Sequence, residues 1–328
     1  MITGAFPPRQ VLAVMESGTT QTALLSAAAL ADRYGAALEV MACVEPPHNI
    51  ATLARLSGRA PEQLLDALRN RTHSEMQALL ASHLPGHRGQ VRIAVGKTFV
   101  EIIRHVMASG SDFVVKAAEP LTGASRLLYA STDQHLLRKC PCPVWLQTEG
   151  ARPVPNRVLA TVDIDDLDAD EPETLAALNR RVIDVARQVA APAGSEVFVL
   201  HAWDAIGEGL VWAFGASGSA RVSADTYVND VLGTRRKALE TLLGEVTADD
   251  PSLTAPRLVP VLVRGAPERR IVEQSRELGA DLVVMGTVAR TGLSGVFIGN
   301  TAENIINGLD CPVLAVKPDG FASPLAAR

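Results

Sequence analysis

The sequence has few aromatic residues and no block of basic ones. Phe, Trp and Tyr make up 4% of the 328 residues, and the formal net charge is −5. Base stacking on aromatic side chains and phosphate neutralisation by Lys and Arg are the usual means of binding nucleic acid. The composition therefore argues against a nucleic-acid partner.

The sequence also lacks a long apolar run and an obvious leader. No apolar stretch reaches the ~20 residues that a membrane-spanning helix needs. Residues 1–10 do not show a basic region followed by an apolar core, so we expect no signal peptide and no membrane span. The four cysteines have neither the spacing of a redox pair nor that of a zinc site, and they fit a reducing cytoplasm.

Familiar catalytic motifs are missing as well. There is no G-x-S-x-G elbow, no Walker Gly-Lys-Ser/Thr and no G-x-G-x-x-G after the first strand. The histidines show no ligand spacing, and we interpret His201 as a packed, hydrogen-bonded residue. The acidic run from Asp163 to Glu171 has no EF-hand glycine in register, which favours a solvated loop over a metal site. We predict no catalytic residue and no metal ligand.

Short apolar runs alternate with amphipathic helical segments along the whole chain. Val11–Met15, Leu38–Val44, Val91–Val95, Asp112–Lys116 and Pro143–Gln147 are the predicted strands of the first half. Strands that alternate with helices form right-handed βαβ units and a parallel sheet that helices cover on both faces. The sequence therefore predicts an α/β fold.

The pattern then repeats. Gly96 matches Gly265, Asp112 matches Asp281, and the Cys142-Pro143-Val144 string matches Cys311-Pro312-Val313, all with a separation of 169 residues. A shared separation over so long a stretch indicates two copies of one fold. We expect one domain over residues 1–148, a polar linker over 149–157, a second domain over 158–318 and a tail over 319–328.

Residues 283–303 are the most informative stretch. An apolar strand is followed by a loop with four glycines and then by a helix start, for which Asn300 is the predicted N-cap and Glu303 the capping-box partner. Backbone N–H groups at a helix N-terminus favour an anion, and glycine allows a phosphate to approach. This stretch predicts an anion site.

Both halves resemble the universal stress protein family. The resemblance rests on Thr132–Pro141 with Pro143-Val144-Trp145, and on Gly286-Thr287-Val288, Gly299–Glu303 and Val316–Asp319. It implies two tandem Rossmann-like domains of the adenine nucleotide α-hydrolase type, each a five-stranded parallel sheet with helices on both faces. It also implies a cytoplasmic stress-response protein without an established reaction.

Nucleotide-binding members of that family carry a loop of Gly, two residues, Gly, nine residues, Gly, then Ser or Thr. Gly286 and Gly299 fill the first and third glycine positions, whereas Ala289 and Asn300 replace the second glycine and the hydroxyl residue. The resemblance implies that cofactor-binding residues are Asp163, Ala202, Met285, Gly286, Ala289, Arg290, Gly299, Asn300 and Thr301.

The first half departs further from the loop. Ala117, Pro120 and Ala130 replace its three glycines, and Glu119 brings a negative charge to the phosphate path, so we expect no ATP there. We interpret Lys116, at the end of the fourth strand, as a lysine whose ammonium snorkels out of the sheet into water.

Three functions remain open. The first is a non-enzymatic stress protein whose second half binds ATP or another phosphate-bearing small ligand. The apolar segment around Trp212 and Phe214 is then either a lid or cavity wall, or a local packing flap over the sheet edge. The second is a slow ATPase that uses Asp163 and the 286–300 loop, and the third is a ligand-free interaction scaffold. The resemblance also implies that the fifth strands, Val144-Trp145-Leu146 and Val313-Leu314-Ala315, pair as an intramolecular pseudo-dimer, because members of the family dimerise; a further homodimer remains open.

Overall fold

The fold was analysed in a computed structural model of the chain. It describes residues 7–16, 21–86, 90–119, 132–165, 171–205, 208, 219–249, 256–287 and 299–326. These residues form two compact units: the first holds residues up to 154 and from 311 onward, and the second holds residues 155–287 and 299–310.

Six strands and five helices make up the described part of the first unit. Its strands are β1 Gln10–Met15, β2 Ala37–Val44, β3 Val91–Val95, β4 Phe113–Ala117, β5 Val144–Gln147 and β10 Val313–Val316. Its helices are α1 Thr22–Tyr34, α2 Ile50–Ser57, α3 Pro61–His83, α4 Thr98–Ser109 and α5 Thr132–Lys139. The sheet runs in the order β3-β2-β1-β4-β5-β10.

The second unit contains four strands and four helices among its described residues. The strands are β6 Arg157–Thr161, β7 Glu196–Trp203, β8 Arg257–Arg264 and β9 Leu282–Gly286. The helices are α6 Pro172–Val189, α7 Ser219–Asp249, α8 Pro267–Glu277 and α9 Asn300–Gly308. The sheet order is β9-β6-β7-β8.

The predicted α/β fold is confirmed. Strands β1 to β5 pair in parallel, and so do β6 to β9. The central strands are largely apolar, as expected where helices cover both faces of a sheet; β1 residues 11–15 and β9 residues 282–285 are buried throughout. No described helix is long and apolar enough to cross a membrane.

The predicted pairing of the fifth strands is also confirmed. β10, which comes from the second sequence repeat, lies antiparallel to β5 within the first unit's sheet. Leu314 faces Trp145, and Val313 faces Leu146. All four side chains are buried, so the final strand of the chain completes the core of the first unit.

A buried lysine follows β10. The Lys317 ammonium donates a hydrogen bond to the Leu137 carbonyl of α5 and lies 4.8 Å from the centre of the Phe321 ring. Its side chain is buried, and burial lowers the pKa of Lys317 to about 7. A lysine with such a pKa gives up its proton in the folded state at a pH where the unfolded chain keeps it.

This difference predicts a pH-dependent stability. Between about pH 7 and the ordinary lysine pKa, the folded protein binds fewer protons than the unfolded chain, so its free energy of unfolding rises with pH by about 1.4 kcal/mol per unit. Lys317→Met lacks this contribution. Urea titrations of both proteins between pH 7 and 9 should show a steeper rise for the wild type, and parallel curves would contradict the assignment.

Candidate functional site

The carboxyl ends of β6 and β9 flank the point at which the second sheet reverses its strand order. β6 lies between β9 and β7, with Thr161 opposite Met285 on one side and Leu200 on the other. Residues just beyond these positions therefore meet at one edge of the sheet. In open α/β sheets, ligands bind in the crevice at such a switch point.

Asp163 is held at this edge by a buried asparagine. Asn179 of α6 accepts a hydrogen bond from the Asp163 backbone N–H (3.0 Å) and donates one to its carbonyl (2.6 Å). The Asp163 carboxylate accepts a bond from the Asp165 N–H at 3.3 Å. Asn179 was not among the predicted site residues; its one signal in the sequence is a polar residue on the apolar face of a helix.

His201 and Asp165 form a second polar group beside Asp163. The buried His201 ring lies with Nδ1 3.3 Å from the Val162 carbonyl, which only accepts, so Nδ1 carries the proton. Its Nε2 is 3.7 Å from Asp165, which Arg235 of α7 binds at 2.6 Å. Burial lowers the pKa of His201, although the negative charges of Asp165 and Asp163 act to raise it. The interpretation of His201 as packed and hydrogen-bonded is confirmed.

Gly286 has a packing role at the end of β9. A Cβ atom on this residue would lie 2.8 Å from the Leu178 Cδ2 atom of α6. Its φ is also outside the left-handed region that glycine favours. A large side chain at residue 286 would displace α6, and loss of ligand in such a variant would not identify a phosphate contact.

The start of α9 differs from the prediction for Asn300. The N-cap is Gly299, whose N–H donates to the Thr287 carbonyl (3.3 Å) and whose carbonyl accepts from the Glu303 N–H (3.0 Å). Asn300 is the first helical residue, so its assignment as N-cap was wrong. The bond to Thr287 sets where the helix begins, and glycine is accepted at an N-cap.

The predicted site residues come together in part. Asp163 and Ala202 lie at the ends of adjacent strands, and the Gly299–Thr287 bond brings the exposed Asn300 and Thr301 to the end of β9. Met285 and Ala202 are buried. Four predicted contributors lie outside the described residues: Ala289, Arg290, Trp212 and Phe214.

The corresponding position in the first unit is filled by a buried ion-pair cluster. The Lys116 ammonium lies 2.9 Å from Glu16 Oε1 and 3.0 Å from Asp133 Oδ1, and it donates to the Ala117 carbonyl at 2.9 Å. Burial lowers the pKa of Lys116, but the Asp133 and Glu16 carboxylates outweigh burial and raise it. The interpretation of Lys116 as snorkelling was wrong, because its side chain is 1% exposed.

Glu119 caps the start of α5 in this unit. Its Oε1 accepts the N–H of Thr132, the first residue of α5, at 3.1 Å. Its own N–H donates to Asp133 Oδ2 at 2.7 Å. Burial and the neighbouring Asp133 raise the pKa of Glu119. A carboxylate of the chain thus lies where a bound phosphate would meet the helix N-terminus.

The second repeat lacks these closing residues. At a separation of 169, Met285 corresponds to Lys116, Ala302 to Asp133 and Val288 to Glu119. The N-cap of α9 is Gly299, to which no side chain bonds within the described ranges, and Ala302 is buried in the first turn. Charged side chains thus occupy these three positions in the first repeat, and apolar side chains occupy them in the second.

A family model described as "Universal stress protein family" matches residues 8–146 and 167–317. The chain belongs to the universal stress protein family. The two matched segments correspond to the two sequence repeats, so each half of this universal stress protein is one copy of the family's fold.

The relatives agree with this assignment. Universal stress protein E of Salmonella typhi is 31% identical over 230 residues, which cover 70% of this chain and 68% of that protein. A protein of Pseudomonas aeruginosa PAO1 described as functionally unknown has a TM-score of 0.64 at 25% identity, with 95% and 94% of the two chains covered. A universal stress protein from Archaeoglobus fulgidus shares the fold, with a TM-score of 0.59, 14% identity and coverage of 97% and 98%.

The second repeat supplies a template for testing the cluster of this universal stress protein. Lys116→Met leaves Asp133 buried without its cation, and we expect a loss of about 3–5 kcal/mol in the free energy of unfolding. Adding Asp133→Ala copies Met285 and Ala302 and should restore part of that loss. Urea denaturation of both single variants and the double variant measures the coupling, and additive losses would contradict the ion pair.

Proposed function

We propose that this universal stress protein binds one phosphate-bearing small molecule, a nucleotide or a ligand with a similar head group, at the end of the second unit's sheet. The observation that carries the proposal is the contrast between the two helix starts. Glu119 binds the first N–H of α5, whereas among the described residues no side chain caps α9, whose N-cap is Gly299. The first unit would then carry no such ligand.

The electrostatics of α9 favour an anion. The first N–H groups of a helix lack partners within the helix, and the dipole adds a partial positive charge at that end. Asn300 and Thr301 are exposed in the first turn, and Ala302 presents only a methyl group. In this proposal, a phosphate accepts hydrogen bonds from these backbone N–H groups and from the side-chain amide of Asn300.

The neighbouring strand ends suit the rest of a nucleotide. In the proposed mode, Asp163 accepts hydrogen bonds from the ligand's hydroxyl groups, and the backbone at Ala202 meets its base. Met285 and Gly286 form the floor beside the phosphate path. Ala289 and Arg290, which lie outside the described residues, would complete the site.

We propose binding without turnover. The Asp163 carboxylate already accepts the Asp165 N–H, and the buried His201 ring is engaged with the Val162 carbonyl. Neither observation supports a general base poised over a terminal phosphate. Release of inorganic phosphate from ATP at a rate that depends on Asp163 would instead support the slow ATPase.

A single negative charge at the start of α9 tests the proposed site. Asn300→Asp is nearly isosteric and falls on an exposed residue, so it adds charge without a packing change. We expect ATP affinity, measured by isothermal titration calorimetry, to fall at least about tenfold because the carboxylate repels phosphate. Asn304→Asp adds the same charge on an exposed position about one turn further along and should change affinity little.

The wild type should bind one ATP per chain. Glu119→Gln, in the first unit, should leave both the affinity and this stoichiometry unchanged. Absence of binding by the wild type would overturn the nucleotide proposal in favour of an interaction scaffold. Equal losses in Asn300→Asp and Asn304→Asp would place the ligand away from the start of α9.

A further inference from the structure

A groove runs along β3, the outer strand of the first unit's sheet. Its cavity volume is about 870 Å³, and residues 90–95 line it in an unbroken run. Arg69 and His73 of α3 contribute to one part of the wall, and Arg104 of α4 contributes to another. The groove therefore follows the strand edge between two helices and is separate from the proposed ligand site in the second unit.

The backbone of β3 alternates between β2 and this groove. The Val40 N–H donates to the Gln90 carbonyl at 3.1 Å, and the Gly96 N–H donates to the Val44 carbonyl at 3.1 Å. In a parallel ladder, alternate residues direct both backbone groups to the same neighbour. The even-numbered residues from 90 to 96 therefore face β2.

The odd-numbered residues direct their backbone groups the other way. Among the described parts of the chain, β2 is the one strand that pairs with β3. The N–H and C=O groups of Val91, Ile93 and Val95 consequently line the groove. An edge of this kind can accept an added strand.

The carboxylates beside the groove already have partners. Glu39 lies 2.9 Å from His105 Nε2 and accepts a bond from Gln10 at 3.0 Å. Glu101 lies 3.2 Å from an Arg104 guanidinium nitrogen. The groove is lined by three arginines and these two carboxylates, so one positive charge is left over even with neutral histidines.

Two arginines in the groove have no such partner. Arg69 and Arg92 are exposed, and neither makes an ion pair with another residue in the described ranges. The groove thus carries surplus positive charge on a chain with a net charge of −5. An acidic ligand is favoured by these two side chains.

We propose that this groove binds an extended acidic segment of a partner protein as an additional strand beside β3. The strand edge explains why the ligand is extended, and Arg69 and Arg92 explain why it is acidic. A second copy pairing through its own β3 is disfavoured, because it would bring a second Arg92 toward the first. The alternating backbone would give affinity, and the arginines would select the charge.

Two synthetic octapeptides test the charge requirement. One alternates Glu and Val, and the other alternates Lys and Val; both carry a fluorophore and are titrated with the full chain by fluorescence anisotropy. We expect the Glu peptide to bind at least about tenfold more tightly, and Arg69→Glu with Arg92→Glu to abolish this preference. Equal binding of the two peptides would overturn the proposal.

The backbone requirement is tested separately. Ile93→Pro removes an N–H that faces the groove, and N-methylation of alternate residues of the Glu peptide removes the matching donors. Each change should weaken binding at least about tenfold, and circular dichroism checks that the variant is folded. The N-methyl peptide with wild-type protein decides the point if Ile93→Pro does not fold. Undiminished binding of that peptide, or its displacement by inorganic phosphate at matched ionic strength, would overturn strand addition.

Discussion

The N–H groups at the start of the helix that follows the fourth strand impose the main constraint on each repeat. They lack partners within the helix and need an acceptor, and the helix dipole makes an anion the best one. In the first repeat, the chain meets this need itself through Glu119, with Asp133 and Lys116 buried beside it. In the second repeat, we propose that a ligand does so.

This contrast explains why the two copies diverged in linked positions. A carboxylate at the helix start is costly to bury unless a cation accompanies it, and Lys116 supplies that cation between Glu16 and Asp133. In the second repeat, Ala302 and Val288 replace Asp133 and Glu119. A buried lysine at residue 285 would lack these carboxylates, and methionine stands there instead. We therefore interpret the differences at these three positions as linked. In the first repeat, residues of the chain neutralise the helix start, and in the second repeat this is left to a ligand.

Much of the fold could be predicted from the sequence, because apolar runs and the common separation of 169 residues are visible in the order of residues alone. The β5–β10 pairing was expected from the resemblance to the family, whose members dimerise. The site was harder. The burial of Lys116, the packing of Gly286 against Leu178 and the clamp of Asn179 on Asp163 depend on contacts between distant segments. No pattern of residue types along the chain encodes those contacts directly.

We propose that a carboxylate of the chain neutralises the start of α5 and that a ligand phosphate neutralises the start of α9. Crystals soaked with ATP distinguish the two helix starts, since the difference density reveals each bound phosphate. We predict phosphate density within hydrogen-bond distance of the backbone N–H groups of residues 300–302 and none at the start of α5, where the Glu119 carboxylate remains in place. Phosphate at the start of α5, or at both helices alike, would contradict the account.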